Sequence, residues 1–248
     1  MMVICTEQKR RHVDTQSVSL DTGSELISPT PLETLLGVQV HQGLGFGTSI
    51  LTGKESLVSS LGTRIGALKK ISKIASFKTR LSVCSALVMS KILYMLPLYG
   101  GAPDYMLTAL QKKMNEAMRT VTRRKWEVLG QRLTSTSELL KQCDYLSVRQ
   151  MVYYHSVAAV HKLQVQRAPE YLHQVVSSAL VSGVRHRYPT RTAGTRLVAP
   201  ARLAVANSSF RWRASTQYAA LPEDLKTEKS LQIFLTRLRQ YTKKNVPI

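Results

Sequence analysis

The sequence predicts a mainly α-helical protein with a small antiparallel β segment at its N-terminal end. Three observations carry that expectation. Apolar residues across 54–125 recur at spacings of three and four, the period of a helix with one buried stripe. Short β-prone runs bounded by turn residues are confined to 1–52. Pro97, Gly100, Gly101 and Pro103 punctuate the apolar helical stretch, so neighbouring helices are expected to fold back on one another. The expected division is a β segment over 1–52, a three-helix bundle over 53–130, and a helical extension over 131–248 containing an extended basic loop at 182–215.

In order, residues 1–6, 17–20 and 35–40 read as short strands separated by turn-rich residues around Asp21–Gly23 and Pro31. Such strands make a small sheet at most, and the sequence expects further strands outside it. Gly43, Gly45 and Gly47 precede the first helix, but neither nucleotide-binding glycine spacing fits. The GLGFG cluster does not open a helix directly, and Lys54 is followed by Glu55 rather than Ser or Thr. A strand-to-helix loop is the better reading.

The first bundle helix carries Leu57, Leu61, Ile65, Leu68, Ile71 and Ala75 on one stripe, with Lys69, Lys70 and Lys73 opposite and Arg64 inside the stripe, where it fits poorly. The second, over 79–96, is apolar around most of its circumference and reads as the buried central member. The third, over 104–124, has a stripe of Leu107, Leu110, Met114, Ala117, Met118 and Val121. A short helix over 134–143 opens with Ser135 and Glu138 at capping-box spacing. Another over 147–165 turns Val148, Met151, Val152, His155, Ala158, Ala159 and Leu163 inward, and Pro169 suits the first turn of a helix over 170–180. The chain closes with a helix bearing Leu231, Phe234, Leu235, Leu238 and Tyr241.

Charge sets the function classes. A net charge of +20 attracts polyanions, of which nucleic acid is the commonest inside cells, with an acidic membrane surface as the competitor. No Asp or Glu occurs between Ser56 and Pro103 or between Tyr171 and Pro222, and each stretch carries seven Lys or Arg. Cys5, Cys84 and Cys143 are odd in number and far apart, as expected for reduced thiols of an intracellular protein, cytoplasmic or nuclear. The one membrane-span candidate, 81–98, is interrupted by Lys91 and reads as a core helix, so no membrane partner is expected.

Catalytic constellations are not legible. A two-metal site needs converging carboxylates, and the one adjacent acidic pair, Glu223–Asp224, follows Leu-Pro and reads as first-turn helix-dipole complementation. Cys143 and His155 have nothing to bring them together, and His155 and His161 are six apart, on different helix faces. His155 reads as a packed core histidine. The expectation is no catalytic residue, no metal ligand and no cofactor in this chain.

Candidate nucleic-acid contacts are better defined. Lys112, Arg119 and Arg123 form one row on the third helix, and the duplex backbone is expected to run along them and Lys69, Lys70 and Lys73, with Lys78 as a further contact. Arg123, Arg124, Lys125 and Trp126 combine phosphate-binding charge with an aromatic able to stack on a base. Arg185, Arg187 and Arg191, with Tyr188, and Arg211 and Arg213, either side of Trp212, repeat the combination. The competing reading is that the aromatics are core anchors flanked by snorkelling arginines. Binding along the backbone, without sequence reading, is what these residues support.

Four stretches, in order, resemble the C-terminal part of a non-LTR (LINE-type, jockey-like) retrotransposon reverse transcriptase. Met2-Val3-Ile4-Cys5 resembles the strand after the catalytic acidic turn. Leu36-Gly37-Val38 through Leu44, Phe46 and Ile50 resembles the segment leading into the thumb. Tyr94, Pro97, Tyr99 and Gly100, then Leu110 to Arg119, resemble a hairpin and the helix following it. Phe210-Arg211 through Leu221-Pro222, Ser230-Leu231 and Phe234 resemble the family's C-terminal signature. The departures are His41 where the family usually has Asp, and Ala219-Ala220 where it has Trp-Asn. The family's aromatic-x-Asp-Asp metal site does not occur in this sequence.

The resemblance implies a thumb and C-terminal extension that grip an RNA template or RNA–DNA duplex, preceded by a remnant of the palm. It implies that the catalytic fingers and palm, and the Mg²⁺ the parent polymerase uses, belong to a part not included here. Two other classes fit the composition: a stand-alone structural RNA-binding protein of the organellar-ribosome type, and a helical interaction module whose basicity is incidental.

Overall fold

The computed structural model describes residues 19–24, 26–43, 45–53, 56–94, 96–124, 127–128, 131–132, 134–167, 169–178, 180–182, 196–198 and 209–248. It is mainly helical, with a small antiparallel β region near its N-terminal end. The described residues form two compact units. One contains those up to Lys91 together with Asp104–Arg123, and the other contains Ile92–Pro103 and those from Arg124 onward. This differs from the three-part expectation: the β segment groups with the bundle, and Ile92–Pro103 groups with the C-terminal unit.

In the first unit, β1 (Leu20–Asp21) pairs antiparallel with β2 (Leu26–Ile27), and β3 (Leu32–Leu35) with β4 (Val38–His41). The run 35–40, expected as one strand, is instead a hairpin corner. Leu36 and Gly37 have φ of 49° and 75°, the two successive positive values that reverse a chain in a two-residue turn matching the strand twist. Glycine takes that conformation freely and leucine rarely does, so an apolar β-former in the turn hides it from a sequence reading. Helix α1 (Gly47–Ile50) packs on β4 and buries Ile50.

Helix α2 (Leu57–Ser72) starts at Ser56, whose hydroxyl accepts from the Ser59 amide at 3.3 Å. It buries Leu57, Leu61, Ile65 and Leu68, but the expected stripe stops there: Ile71 is 40% exposed because the helix ends one residue later. Helix α3 (Phe77–Cys84), capped by Ser76, continues through a π-helical turn (Ser85–Met89) into α4 (Ser90–Leu93). A wider i→i+5 turn disturbs the hydrogen-bond ladder, and here the Arg64 guanidinium donates to the Leu87 carbonyl at 3.1 Å. That accounts for an arginine inside an apolar stripe. This helical run is not enclosed on all sides as expected: Cys84, Val88, Met89 and Ile92 are buried, while Leu81, Val83 and Leu87 are half-buried.

Helices α5 (Leu96–Tyr99) and α6 (Asp104–Thr122) follow in the chain. All six expected inward residues of α6, Leu107, Leu110, Met114, Ala117, Met118 and Val121, are buried. α6 packs on α2 and α3. Lys69 of α2 meets Glu116 of α6, and Arg123 just past α6 meets Ser72 at the end of α2, so α2 and α6 run parallel with their C-termini together.

In the second unit, α7 (Thr136–Cys143) carries the expected capping box between Ser135 and Glu138. α8 (Val148–Gln166) carries another, between Ser147 and Gln150, and α9 (Glu170–Ser177) follows Pro169. Two-stranded pairs join β5 (Glu127–Val128) to β6 (Gln131–Arg132) and β7 (Leu180–Ser182) to β8 (Arg196–Val198). α10 (Phe210–Ala219), α11 (Glu223–Lys226) and α12 (Leu231–Asn245) complete the unit. Its core gathers Val157, Val160, Leu163, Tyr218, Leu225, Phe234 and Leu238 from α8, α10, α11 and α12. The expected loop at 182–215 therefore ends earlier, since 210–215 is helical and buries Ala214 and Ser215.

The core histidine is His161, fully buried, rather than His155, which is half-buried. α8 is covered by neighbours on more than one side, so a single-stripe reading selected the wrong position. At Gly100 an added Cβ would meet Val152 Cγ1 at 2.5 Å and the Leu96 carbonyl at 2.9 Å, so α5 and α8 pack closely only because that residue is glycine. Among the described residues, no helix is long and apolar enough to cross a membrane.

Candidate nucleic-acid interface

Parallel packing of α2 and α6 brings two helix C-termini, each with orphan carbonyls and partial negative charge, to one end of the first unit. Arginines satisfy them. Buried Arg80 donates from Nε to the Val121 carbonyl at 2.7 Å and from Nη1 to the Ala75 carbonyl at 2.6 Å, with its guanidinium 5.9 Å from the Phe77 ring centre. Arg123 donates from Nε and Nη2 to Ser72 O at 3.2 and 2.7 Å, and from Nη2 to Lys73 O at 3.1 Å. Burial, followed by the nearby Arg123 charge, pushes the Arg80 guanidinium below its ordinary value. Arg123 has φ of 56°, the left-handed conformation that ends α6 and swings its side chain back across α2.

The expected row on α6 therefore divides by role. Lys112 is exposed. Arg119 is half-buried with Nε and Nη2 shielded from solvent; burial lowers its pKa while Glu116 opposes the shift. Arg123, although exposed, spends its guanidinium on α2 carbonyls. Glu116 collects two lysines: Lys69 at 2.7 Å and Lys113 at 3.2 Å. The Lys69 hydrogen bond holds the Glu116 carboxyl below the usual carboxylate range. Lys113 was not among the residues singled out from sequence, because nothing there shows that α2 lies within its reach.

Lys70, Lys73 and Lys78 are exposed around the α2–α3 turn. The Glu116 pairs engage neither these three nor Lys112. Interleaved with them are Ile71, Ile74 and Phe77, all exposed. Among the described residues of the first unit, this turn gathers several outward cations from the expected set.

Of the remaining expected contacts, Arg124 is exposed, while Lys125, Trp126, Arg185, Arg187 and Arg191 lie outside the described residues. Arg211 is exposed and donates to the Ser178 hydroxyl at 2.8 Å. Arg213 turns inward, donating to the Pro97 carbonyl at 2.5 Å, with its pKa lowered by burial. Trp212 is half-buried, between the stacking and anchoring readings.

Glu223 and Asp224 occupy the first turn of α11 and pair with Lys226 at 2.9 Å and Arg237 at 2.7 Å, the dipole-complementing placement expected for them. Among the described residues, no group of three or more His, Cys, Asp or Glu could hold a metal ion.

No protein-family model matches the chain, and neither the curated proteins nor the solved structures provide a significant match.

Proposed function

We propose that the first unit is a thumb-type module, from a non-LTR retrotransposon reverse transcriptase lineage, that binds the backbone of RNA or an RNA–DNA hybrid. The single observation carrying this reading is the carboxylate-free cationic turn. Lys70, Lys73 and Lys78 stand exposed where two helix C-termini are already neutralised by Arg80 and Arg123. Helix ends left with bare carbonyls would repel phosphate, so capping them from within lets the lysines act on an approaching polyanion. Lysine ammonium groups on an exposed turn follow phosphate charge without reading bases, so binding is sequence-independent. The chain's part in this reading is grip rather than chemistry.

The test is binding of an RNA–DNA hybrid by the full chain and by Lys70→Gln/Lys73→Gln/Lys78→Gln at fixed moderate salt. The reading expects the triple variant to lose roughly tenfold or more in affinity. Equal affinity would remove the turn from the interface.

A further inference from the structure

Lysines account for attraction to phosphate, but not for the apolar side chains set among them. Ile74 is 94% exposed, with Phe77 at 43% and Ile71 at 40%. The turn that presents them is well fixed. The amides of Ile74 and Ala75 both donate to the Ile71 carbonyl, at 3.2 and 3.1 Å. The carbonyls of Ser72 and Lys73 are held by Arg123, and that of Ala75 by Arg80. Ile74 thus stands on a turn braced by two arginines, with Lys73 beside it, Lys70 behind it and Lys78 ahead of it in the chain. An isoleucine 94% exposed has few protein neighbours to enclose a small ligand with it. Its flanking charge selects a polyanion that also has an apolar interior within a side chain's reach.

We propose that Ile74 is an apolar wedge that enters the minor groove of the bound duplex and loosens one base step, while Lys70, Lys73 and Lys78 hold the phosphates on either side. This rests on the nucleic-acid reading above. Apolar side chains inserted at base steps from the minor groove partly unstack them. A-form duplexes offer a wide, shallow minor groove whose floor a single isoleucine can reach. The B-form groove is narrower and deeper, so RNA–DNA hybrid is the expected substrate over B-DNA.

The experiment uses the full chain, an RNA–DNA hybrid carrying 2-aminopurine in its DNA strand, and Ile74→Ser, whose site is exposed, with circular dichroism as the folding control. The wild-type protein is expected to raise 2-aminopurine fluorescence on binding. Ile74→Ser is expected to abolish the rise and weaken binding roughly tenfold, with an unchanged salt slope. Tight wild-type binding with no rise, or a rise that Ile74→Ser retains, would overturn the wedge and leave backbone binding standing. No binding of any hybrid would overturn the underlying reading itself. Phosphatidylserine vesicles provide the remaining arm: vesicle binding lost in Ile74→Ser, without a fluorescence rise on hybrid, would assign the tip to an anionic lipid surface and overturn the proposal.

Discussion

The Lys69 ammonium and the Glu116 carboxylate meet at 2.7 Å across two parallel helices, and Lys113, one turn earlier on α6, meets the other oxygen of the same carboxylate at 3.2 Å. One acid thus restrains two bases beside a surface proposed to bind phosphate. Glu116→Gln should release both lysines, tightening hybrid binding about threefold or more and steepening the log–log salt slope by roughly one to two phosphate contacts. Fluorescence anisotropy across a salt series measures both quantities. Weaker binding by the variant would mean that Glu116 positions the lysines productively rather than withholding them.

Arg80 ties the Val121 and Ala75 carbonyls together from a buried position. Removing it strands carbonyls at the end of α6 and in the α2–α3 turn. Arg80→Ala should destabilise the first unit by roughly 3–6 kcal/mol, since each of its two charge-assisted bonds contributes about 1.5–3. Arg80→Lys should restore little, because one ammonium does not reproduce the guanidinium fork. Hydrogen exchange at α2 and α6 amides reads this out; unchanged protection in both variants would contradict it.

His161 lies stacked on Phe234, ring centres 3.5 Å apart, with Nδ1 3.3 Å from the Tyr218 hydroxyl. Burial lowers its pKa, so the folded state favours the neutral ring while the unfolded chain still takes up a proton near the ordinary value. Over the interval between the lowered folded value and the ordinary one, the unfolded state binds more protons. Stability of the second unit should therefore be fully present above the ordinary histidine range and fall as pH drops through that interval. His161→Gln should flatten the dependence of Tm on pH, leaving a smaller slope from His155, whose pKa burial also lowers. An identical slope in the variant would exclude His161 as its source.

Burial pushes the Cys143 thiol up to about 11, and Cys84 is buried as well. In a Cys5→Ser background, both should resist thiol reagents at mildly alkaline pH and react only on denaturation. Rapid modification of the native protein would show that one of these sites opens.

What the sequence disclosed follows from which forces have a local period. The α6 stripe and the Ser135–Glu138 capping box were legible because burial on one side and a cap at fixed spacing repeat along the chain. The Leu36–Gly37 turn was not, because an apolar residue at positive φ looks like strand. Arg64 reads as a misfit and Arg123 as a surface contact, and nothing in the sequence singles out Arg80, because carbonyls at a π turn and at helix ends become partners only when distant helices meet. His161 was missed in favour of His155 because α8 is buried on more than one side. The candidate interface was legible in charge but not in arrangement: sequence placed Lys70, Lys73 and Lys78 on the basic side and left Ile74 without a role.

Engagement of phosphate by the exposed lysines is tested most directly by hybrid affinity as a function of salt. At about 0.9 per phosphate contact, the wild-type chain should give a log–log slope of roughly −3 to −6, reduced by about 2–3 in Lys70→Gln/Lys73→Gln/Lys78→Gln. A flat wild-type curve, or a slope that the triple variant leaves unchanged, would contradict it.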